Sequence, residues 1–410
     1  MSDHWHVITG EYPPQRGGVS DYSRLIARRL AAEGDDVHVW APRSSASCDR
    51  ASSVTDERVT VHWIRGGFNV ASLRGLGSSI ERIGGTARLL AQYVPQAFGY
   101  KGMNIPFCLW LAGRRESVWA MFHEVMFPRE TSQPMRHRVL ASVTAVMARI
   151  VARASERVFV STPAWAAILR RIAPDAPEAE WLPVPSTIPR VGDRNDAHGI
   201  VRRYGGSGAR LVGHFGSYGP PIVRHLDVAI PALLERTPDA SILLLGEGGV
   251  ALRQRLVDAG PALSRRIWAT GPLAAREASL HLLACDLMLQ PFVEGVTTRR
   301  TSVMAALLHG VPTVTTSGRL TEPLWRQTGA VALAPAADPT ALAAVASALL
   351  ADPTARAAVA SALLADPTAR ERLGAAGEAA YDRLFDVRHT IAALRRTDRQ
   401  ALHLAGAHVH

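Results

Sequence analysis

At 410 residues, 47% hydrophobic and 20% charged, the chain is too long for one ordinary core and has the balance of a globular protein, so two domains are expected. The net charge of +10 rests on arginine, since Lys101 is the only lysine; this skew reads as composition bias, and without interleaved aromatic motifs it excludes a nucleic-acid partner. The opening residues lack a basic segment leading into an apolar run, and the most apolar patch, 107–113, breaks at Arg114 and Arg115, so neither a signal peptide nor a membrane span is expected. The expected location is cytoplasmic. Cys48, Cys108 and Cys285 stand far apart with no histidine at a metal spacing and read as buried small apolar residues. From residue 81 to 171 there are 13 Arg or Lys against 5 Glu and no Asp. That region either attracts phosphates, acidic acceptors or anionic lipid heads, or consists of solvated helix faces. It leaves room for peripheral contact at the inner face of a membrane.

His6 to Thr9 reads as a short buried strand, and Ser20 to Glu33 as a helix carrying Tyr22, Leu25, Ile26 and Leu30 on one stripe, closed by Gly34. Strands follow at Val37–Ala41 and Val59–Ile64. The stretch from 66 to 171 has mostly helical periodicity, clearest from Val139 to Ala154, with a return to strand at Glu156–Val160. Pro163, Pro174, Pro177, Pro183, Pro185 and Pro189, followed by polar 192–196, mark the best linker. A second alternating series follows, with strands at 210–215, 241–246, 267–270, 286–291 and 312–316 and helices at 222–237 and 300–308. Strands alternating with helices imply parallel sheets covered on both faces. The expected fold class is α/β with two Rossmann-like domains, divided as 1–190, 191–375 and a C-terminal helical segment 376–410. Ala343–Arg356 is repeated without change as Ala357–Arg370; two copies are too few for a solenoid and read as slippage that added one surface helix.

Two segments can carry chemistry. Glu11-Tyr-Pro-Pro-Gln-Arg-Gly17-Gly18-Val-Ser20 lies between the first strand and the first helix, where backbone N–H groups and the helix dipole favour negative charge. Its glycines lack the spacing of the dinucleotide fingerprint, which disfavours NAD, and they could also just shape a tight turn. The second runs from Pro291 to Pro312, where a strand end, a polar loop with Glu294 and Gly295, and a helix start near Thr298, Thr301 or Ser302 stand beside Arg299 and Arg300. It too is explicable as helix punctuation. His123, after apolar Val118–Phe122, is the acceptor-side candidate, since an imidazole near neutrality suits polar contact or proton traffic. The bland reading is a satisfied structural histidine.

The segments HVITGEYPPQRGGVSDYSRLIARRLAAEGDDVHVW and PFVEGVTTRRTSVMAALLHGVPTVTT resemble family-four glycosyltransferases of the GT-B fold, with lesser matches at VGHFGSYG, LLLGEG, ATGPL and ACDLMLQPF. The resemblance implies two Rossmann-like domains facing across a cleft, with the C-terminal helix packing back on the first. It implies transfer of a sugar from a nucleotide-diphosphate sugar to a hydroxyl acceptor, with retention and with neither cofactor nor metal; the sequence has no Asp-x-Asp motif. By position, His123 and Glu294 would be catalytic. Gly17, Gly18, Gly216, Ser217, Arg224, Gly271, Leu273, Gly295, Val296, Thr297, Thr298, Arg299 and Ser302 would bind the donor, with N–H groups of 295–298 presented to sugar and phosphate. One departure stands out: where the family places a second glutamate, eight positions after Glu294, this chain has Ser302. The donor base, the sugar and the acceptor stay open. So do a catalytically silent scaffold or binding protein of the same fold, and a nucleotide-sugar epimerase or pseudo-glycosyltransferase.

Overall fold

The structure, a computed structural model, describes residues 3–43, 53–85, 87–129, 133–205, 210–351 and 367–396. The chain forms two compact units, Met1–Val184 with Val387–His410, and Pro185–Asp386. The first unit runs β1 (His4–Thr9), α1 (Gly18–Ala32), β2 (Asp36–Pro42), β3 (Ser53–Asp56), β4 (Val59–Ile64), α2 (Val70–Ile83), β5 (Ala87–Tyr93), α3 (Ile105–Ala112), β6 (Ser117–Phe122), α4 (Met135–Ala154), β7 (Arg157–Val160), α5 (Pro163–Ile172) and β8 (Ala179–Trp181). Its sheet has the order β3-β4-β2-β1-β5-β6-β7-β8, parallel except for the β3–β4 pair. Strands covered on both faces need apolar side chains pointing both ways, and Val118 to Phe122 of β6 are all buried. One face packs against α1 through Tyr22, Ile26 and Leu30, each such side chain contributing about 1.5–3 kcal/mol; the other packs against α2 to α5.

The second unit runs α6 (His198–Gly205), β9 (Arg210–Phe215), α7 (Pro220–Arg236), β10 (Ala240–Leu245), α8 (Gly249–Ala259), β11 (Ile267–Gly271), α9 (Ala275–Ala284), β12 (Leu287–Gln290), α10 (Thr301–Leu308), β13 (Thr313–Ser317), α11 (Leu324–Thr328), β14 (Ala332–Pro335), α12 (Pro339–Leu350) and α13 (Pro367–Leu384). Its strand order is β11-β10-β9-β12-β13-β14, all parallel, the doubly wound arrangement in which the strand order reverses between β9 and β12. The chain then returns to the first unit as α14 (Val387–Arg395), which buries Ile391, Ala393 and Leu394 in the core shared with α1.

Three expectations are corrected. β5 interrupts the stretch expected to be mostly helical. The proline-rich segment is not one linker: Pro163 is the first residue of α5, where its missing N–H costs nothing, and β8 follows it. The boundary expected at 375/376 falls inside α13, and the chain changes unit at 386/387 instead. The first copy of the repeat contributes the end of α12, while residues 352–366, the end of the first copy and most of the second, lie outside the described residues, as does Cys48. Among the described residues no helix is long and apolar enough to cross a membrane.

Arg157 fastens α14. Its guanidinium pairs with both carboxylate oxygens of Glu180 at 2.7 and 2.8 Å, donates to the carbonyls of Ala393 and Arg396, and lies 4.6 Å from the Trp119 ring. Arg157→Ala is expected to cost about 1–3 kcal/mol, because it takes the donor from two carbonyls and leaves the partly buried Glu180 only Arg396 at 3.3 Å. Denaturant unfolding with hydrogen exchange reads this out as a lower midpoint and early exchange of α14 amides.

Candidate active site

In doubly wound sheets ligands settle at the carboxyl ends of the strands where the strand order reverses. In the second unit that point is the gap between the ends of β9 and β12. Gly216 and the exposed Ser217 follow β9, and the Pro291–Arg300 loop follows β12. A Cβ on Gly216 would lie 3.5 Å from Ser302 Oγ, so the two segments converge there. Buried Gln290 braces the junction: its Nε2 donates to the Phe215 carbonyl at 3.0 Å, and its Oε1 accepts from Ser302 Oγ at 3.4 Å. α10 starts after Arg300 with no side-chain cap, so the first N–H groups, of Thr301 and Ser302, face the same point without intrahelical acceptors.

Glu294 sits half-buried on the loop, paired with Arg319 and, at 3.5 Å, with Arg299 Nη2. The loop owes its path to Gly295. Its φ is +87°, and a Cβ there would lie 2.1 Å from Thr321 Oγ1 and 2.3 Å from the Gly318 nitrogen. Beyond it, residues 295–298 are buried, and most of their N–H groups are spent within the protein. The N–H groups of Gly295 and Val296 donate to the carbonyls of Phe292 and Thr316, and that of Thr298 to the Glu322 carboxylate. This corrects the expected fan of N–H groups over 295–298: three of the four are spent within the protein, and the helix start at Thr301 and Ser302 is the open one. Thr297 Oγ1 is buried with no hydrogen-bond partner. Arg300 stacks on Phe292 at 4.5 Å, and Arg224 is exposed on the first turn of α7. Gly271 ends β11 with φ +67°, a Cβ there would meet no atom within 4 Å, and half-buried Leu273 follows it.

In the first unit the glycine pair serves the helix itself. Glu11 turns back to accept the Ser20 N–H at 2.9 Å, and burial raises its pKa against the pull of the Ser20 and Val19 N–H donors. A Cβ on Gly17 would lie 2.3 Å from Glu11 Oε1, whereas one on Gly18 meets nothing within 4 Å. The anion place at the start of α1 is therefore taken by the protein's own carboxylate. Gly17 makes room for that cap, and only Gly18 is open toward a ligand. His123 follows β6 and donates from Nε2 to Oε1 of buried Gln92 at 2.8 Å, with Tyr22 edge-on at 4.8 Å. Trp165 Nε1 donates to its carbonyl. Burial lowers the His123 pKa to about 3, so the proton traffic near neutrality expected of it gives way to a neutral imidazole with a fixed tautomer.

His214 on β9 is likewise buried, donates from Nδ1 to the Leu289 carbonyl, and has its pKa lowered by burial to about 4. Both folded values lie below the unfolded value of 6.5. The unfolded chain therefore takes up protons first as the pH falls. Stability is full above pH 6.5 and is lost toward the folded values, at about 1.4 kcal/mol per pH unit for each histidine. Urea midpoints should drop steeply from about pH 7 to 5, and His123→Gln with His214→Gln should flatten that slope.

Sequence reasoning missed the buttress of the Pro291–Arg300 loop: Gly318, Arg319, Thr321 and Glu322, whose carboxylate also accepts from Thr298 Oγ1 at 2.9 Å and from Trp325 Nε1 at 2.7 Å. It missed Gln290 as well, although a glutamine closing the apolar strand Leu-Met-Leu-Gln was a visible signal.

Two doubly wound units, each with polar loops at its strand carboxyl ends, define the GT-B class. Residues 17–185 match the glycosyl transferase 4-like domain and residues 209–352 match glycosyl transferases group 1. The chain belongs to these glycosyltransferases. It is similar in fold to sucrose-phosphate synthase from Thermosynechococcus elongatus (TM-score 0.71, 16% identity, covering 96% of this chain and 97% of that one). It is also similar to WaaG, a glycosyltransferase involved in lipopolysaccharide biosynthesis (0.65, 14%, 96% and 100%). Anabaena Alr3699/HepE, solved in complex with UDP and glucose, is similar as well (0.64, 14%, 96% and 98%). Among curated proteins no sequence matches.

Proposed function

We propose that this glycosyltransferase moves a sugar from a nucleotide-diphosphate donor to a hydroxyl acceptor, with retention of configuration and without a metal ion. The observation that carries the reading is the Glu294 carboxylate, steadied by Arg299 and Arg319 at the end of β12 beside the uncapped start of α10. In this reading Glu294 accepts hydrogen bonds from donor-sugar hydroxyls. The N–H groups of Thr301 and Ser302, with the Arg299 guanidinium, meet the charge that grows on the departing diphosphate. Gly216 lets the diphosphate approach the backbone, Ser217 and Arg224 border it, Ser302 Oγ bonds a ribose hydroxyl, and Gly271 and Leu273 line the base. The role given to a metal elsewhere falls here to arginines and a helix dipole. The Gly18 N–H remains open toward a donor phosphate, and neutral His123 serves the acceptor side. The complex of the similar HepE with UDP and glucose supports the donor class.

The test is incubation with UDP-, GDP-, ADP- and dTDP-sugars, reading melting temperature and release of the nucleoside diphosphate. One donor should raise the melting temperature and be consumed with an acceptor. Binding without consumption by any acceptor would favour a silent scaffold instead, and turnover without an acceptor an epimerase.

A second observation bears on where the acceptor is met. α4 exposes Met135 (70%), Val139 (50%) and Val146 (50%) beside exposed Arg138, Arg149 and Arg153. Apolar and basic side chains on one helix face fit peripheral contact with anionic lipid. Co-sedimentation with anionic but not neutral vesicles would support it, and equal behaviour with both would refute it.

A further inference from the structure

The first unit holds a second polar cluster that glycosyl transfer does not use. It lies at the amino ends of the strands, opposite the carboxyl ends that carry Gly18 and His123. His4 and Asp36 are register partners at the starts of β1 and β2, and His38, two residues on from Asp36, shares its face. Nε2 of His4 and Nε2 of His38 each lie 3.5 Å from Asp36 Oδ2, and all three atoms are within 4.8 Å of one another. Around a tetrahedral ion with bonds near 2.0–2.1 Å, donor atoms stand roughly 3.4 Å apart, so this spacing needs little adjustment.

The neighbouring side chains orient the donors. His38 Nδ1 is 2.9 Å from His62 Nε2 with the rings 20° apart, an in-plane hydrogen bond. With His38 donating from Nδ1, its Nε2 lone pair points toward Asp36, the arrangement that outer partners of metal-bound histidines impose. His62 in turn stacks on Trp40 at 3.9 Å, and Trp40 Nε1 donates to His6 Nδ1 at 3.1 Å. His4 Nε2 is itself buried with no hydrogen-bond partner. A buried ring nitrogen aimed at a carboxylate and another ring nitrogen, with no hydrogen bond made, is what a ligand atom looks like. Two imidazoles and one carboxylate suit borderline divalent ions such as Zn²⁺ better than Mg²⁺ or Ca²⁺.

We propose that His4, Asp36 and His38 bind a divalent transition-metal ion, with Zn²⁺ as the natural probe, and that His62 positions His38 for it. The bound ion would join the first turns of β1 and β2, leave one coordination position to water, and take no part in glycosyl transfer. The experiment uses the full chain after chelator dialysis, titrated with Zn²⁺ by calorimetry and with Co²⁺ by visible absorption. One equivalent should bind, Co²⁺ should show the intense bands of a four-coordinate site, and Zn²⁺ should raise the melting temperature. Asp36→Asn, which alters a largely exposed carboxylate, and His38→Gln should each weaken binding by more than about tenfold. His62→Gln should weaken it by about 10–100-fold without changing the stoichiometry. Removing His408 and His410 together should change nothing. Circular dichroism of each metal-free variant checks that it folds. The proposal is overturned if the wild type takes up no ion, if Asp36→Asn and His38→Gln bind as the wild type does, or if binding follows the terminal histidines.

Discussion

Gly295→Ala is expected to lower kcat/KM for the donor by about a hundredfold or more and to remove several degrees of melting temperature. A methyl group at φ +87° is strained, and here it would also meet Thr321 Oγ1 and the Gly318 nitrogen at 2.1 and 2.3 Å. Strain of about 1–3 kcal/mol adds to a clash with backbone that cannot rotate away. The loop must then leave Gly318, and Glu294 moves with it. Gly329→Ala is the control: φ is +61° there but nothing lies within 4 Å, so about 1 kcal/mol of stability should go while kcat/KM holds. Activity retained in Gly295→Ala as in Gly329→Ala would show that the loop tolerates displacement, and equal loss in both would trace the effect to general destabilisation.

Glu294→Ala should cost about a hundredfold in kcat/KM, near 2.7 kcal/mol, with little change in melting temperature. The carboxylate is 30% exposed, and surface ion pairs with Arg319 and Arg299 stabilise by no more than about 1 kcal/mol. A role toward substrate and a role as loop strut therefore separate cleanly. If activity and melting temperature fall together, Glu294 holds the loop; if activity alone falls, it holds the sugar. Glu294→Gln keeps the shape and loses the charge, and should sit between the wild type and Glu294→Ala.

Much of the fold is legible in the sequence where side-chain periodicity matches burial. The strand Arg210–Phe215 is legible to the residue, since its apolar run is bounded by a polar stretch and by Gly216. β5 is not, because Arg88 and Gln92 interrupt its pattern. Both find partners distant in sequence, Arg88 in Asp3 and the Trp5 and Trp119 rings, and the Oε1 of Gln92 in His123. Pro163 reads as a breaker until Thr162 and the first turn of α5 are in place. For the candidate site, the loop and helix start carrying Glu294 and Ser302 are legible from punctuation, whereas Gly216 enters only through the family resemblance. Which N–H groups stay open is not. That depends on Gly318 and Glu322, more than 20 residues further on, and on Glu11 folding back over Ser20.

The most direct test of the account is calorimetric titration of UDP, GDP, ADP and dTDP into the wild type and into Ser302→Trp. Ser302 Oγ lies where the ends of β9 and β12 converge, 3.5 Å from a Cβ placed on Gly216, so an indole there fills the point at which the donor is placed. The account predicts that one of the four nucleotides binds the wild type once per chain and fails to bind Ser302→Trp while that variant keeps its fold. No binding by any of them, or equal binding by both proteins, would contradict a donor site at the junction of β9 and β12.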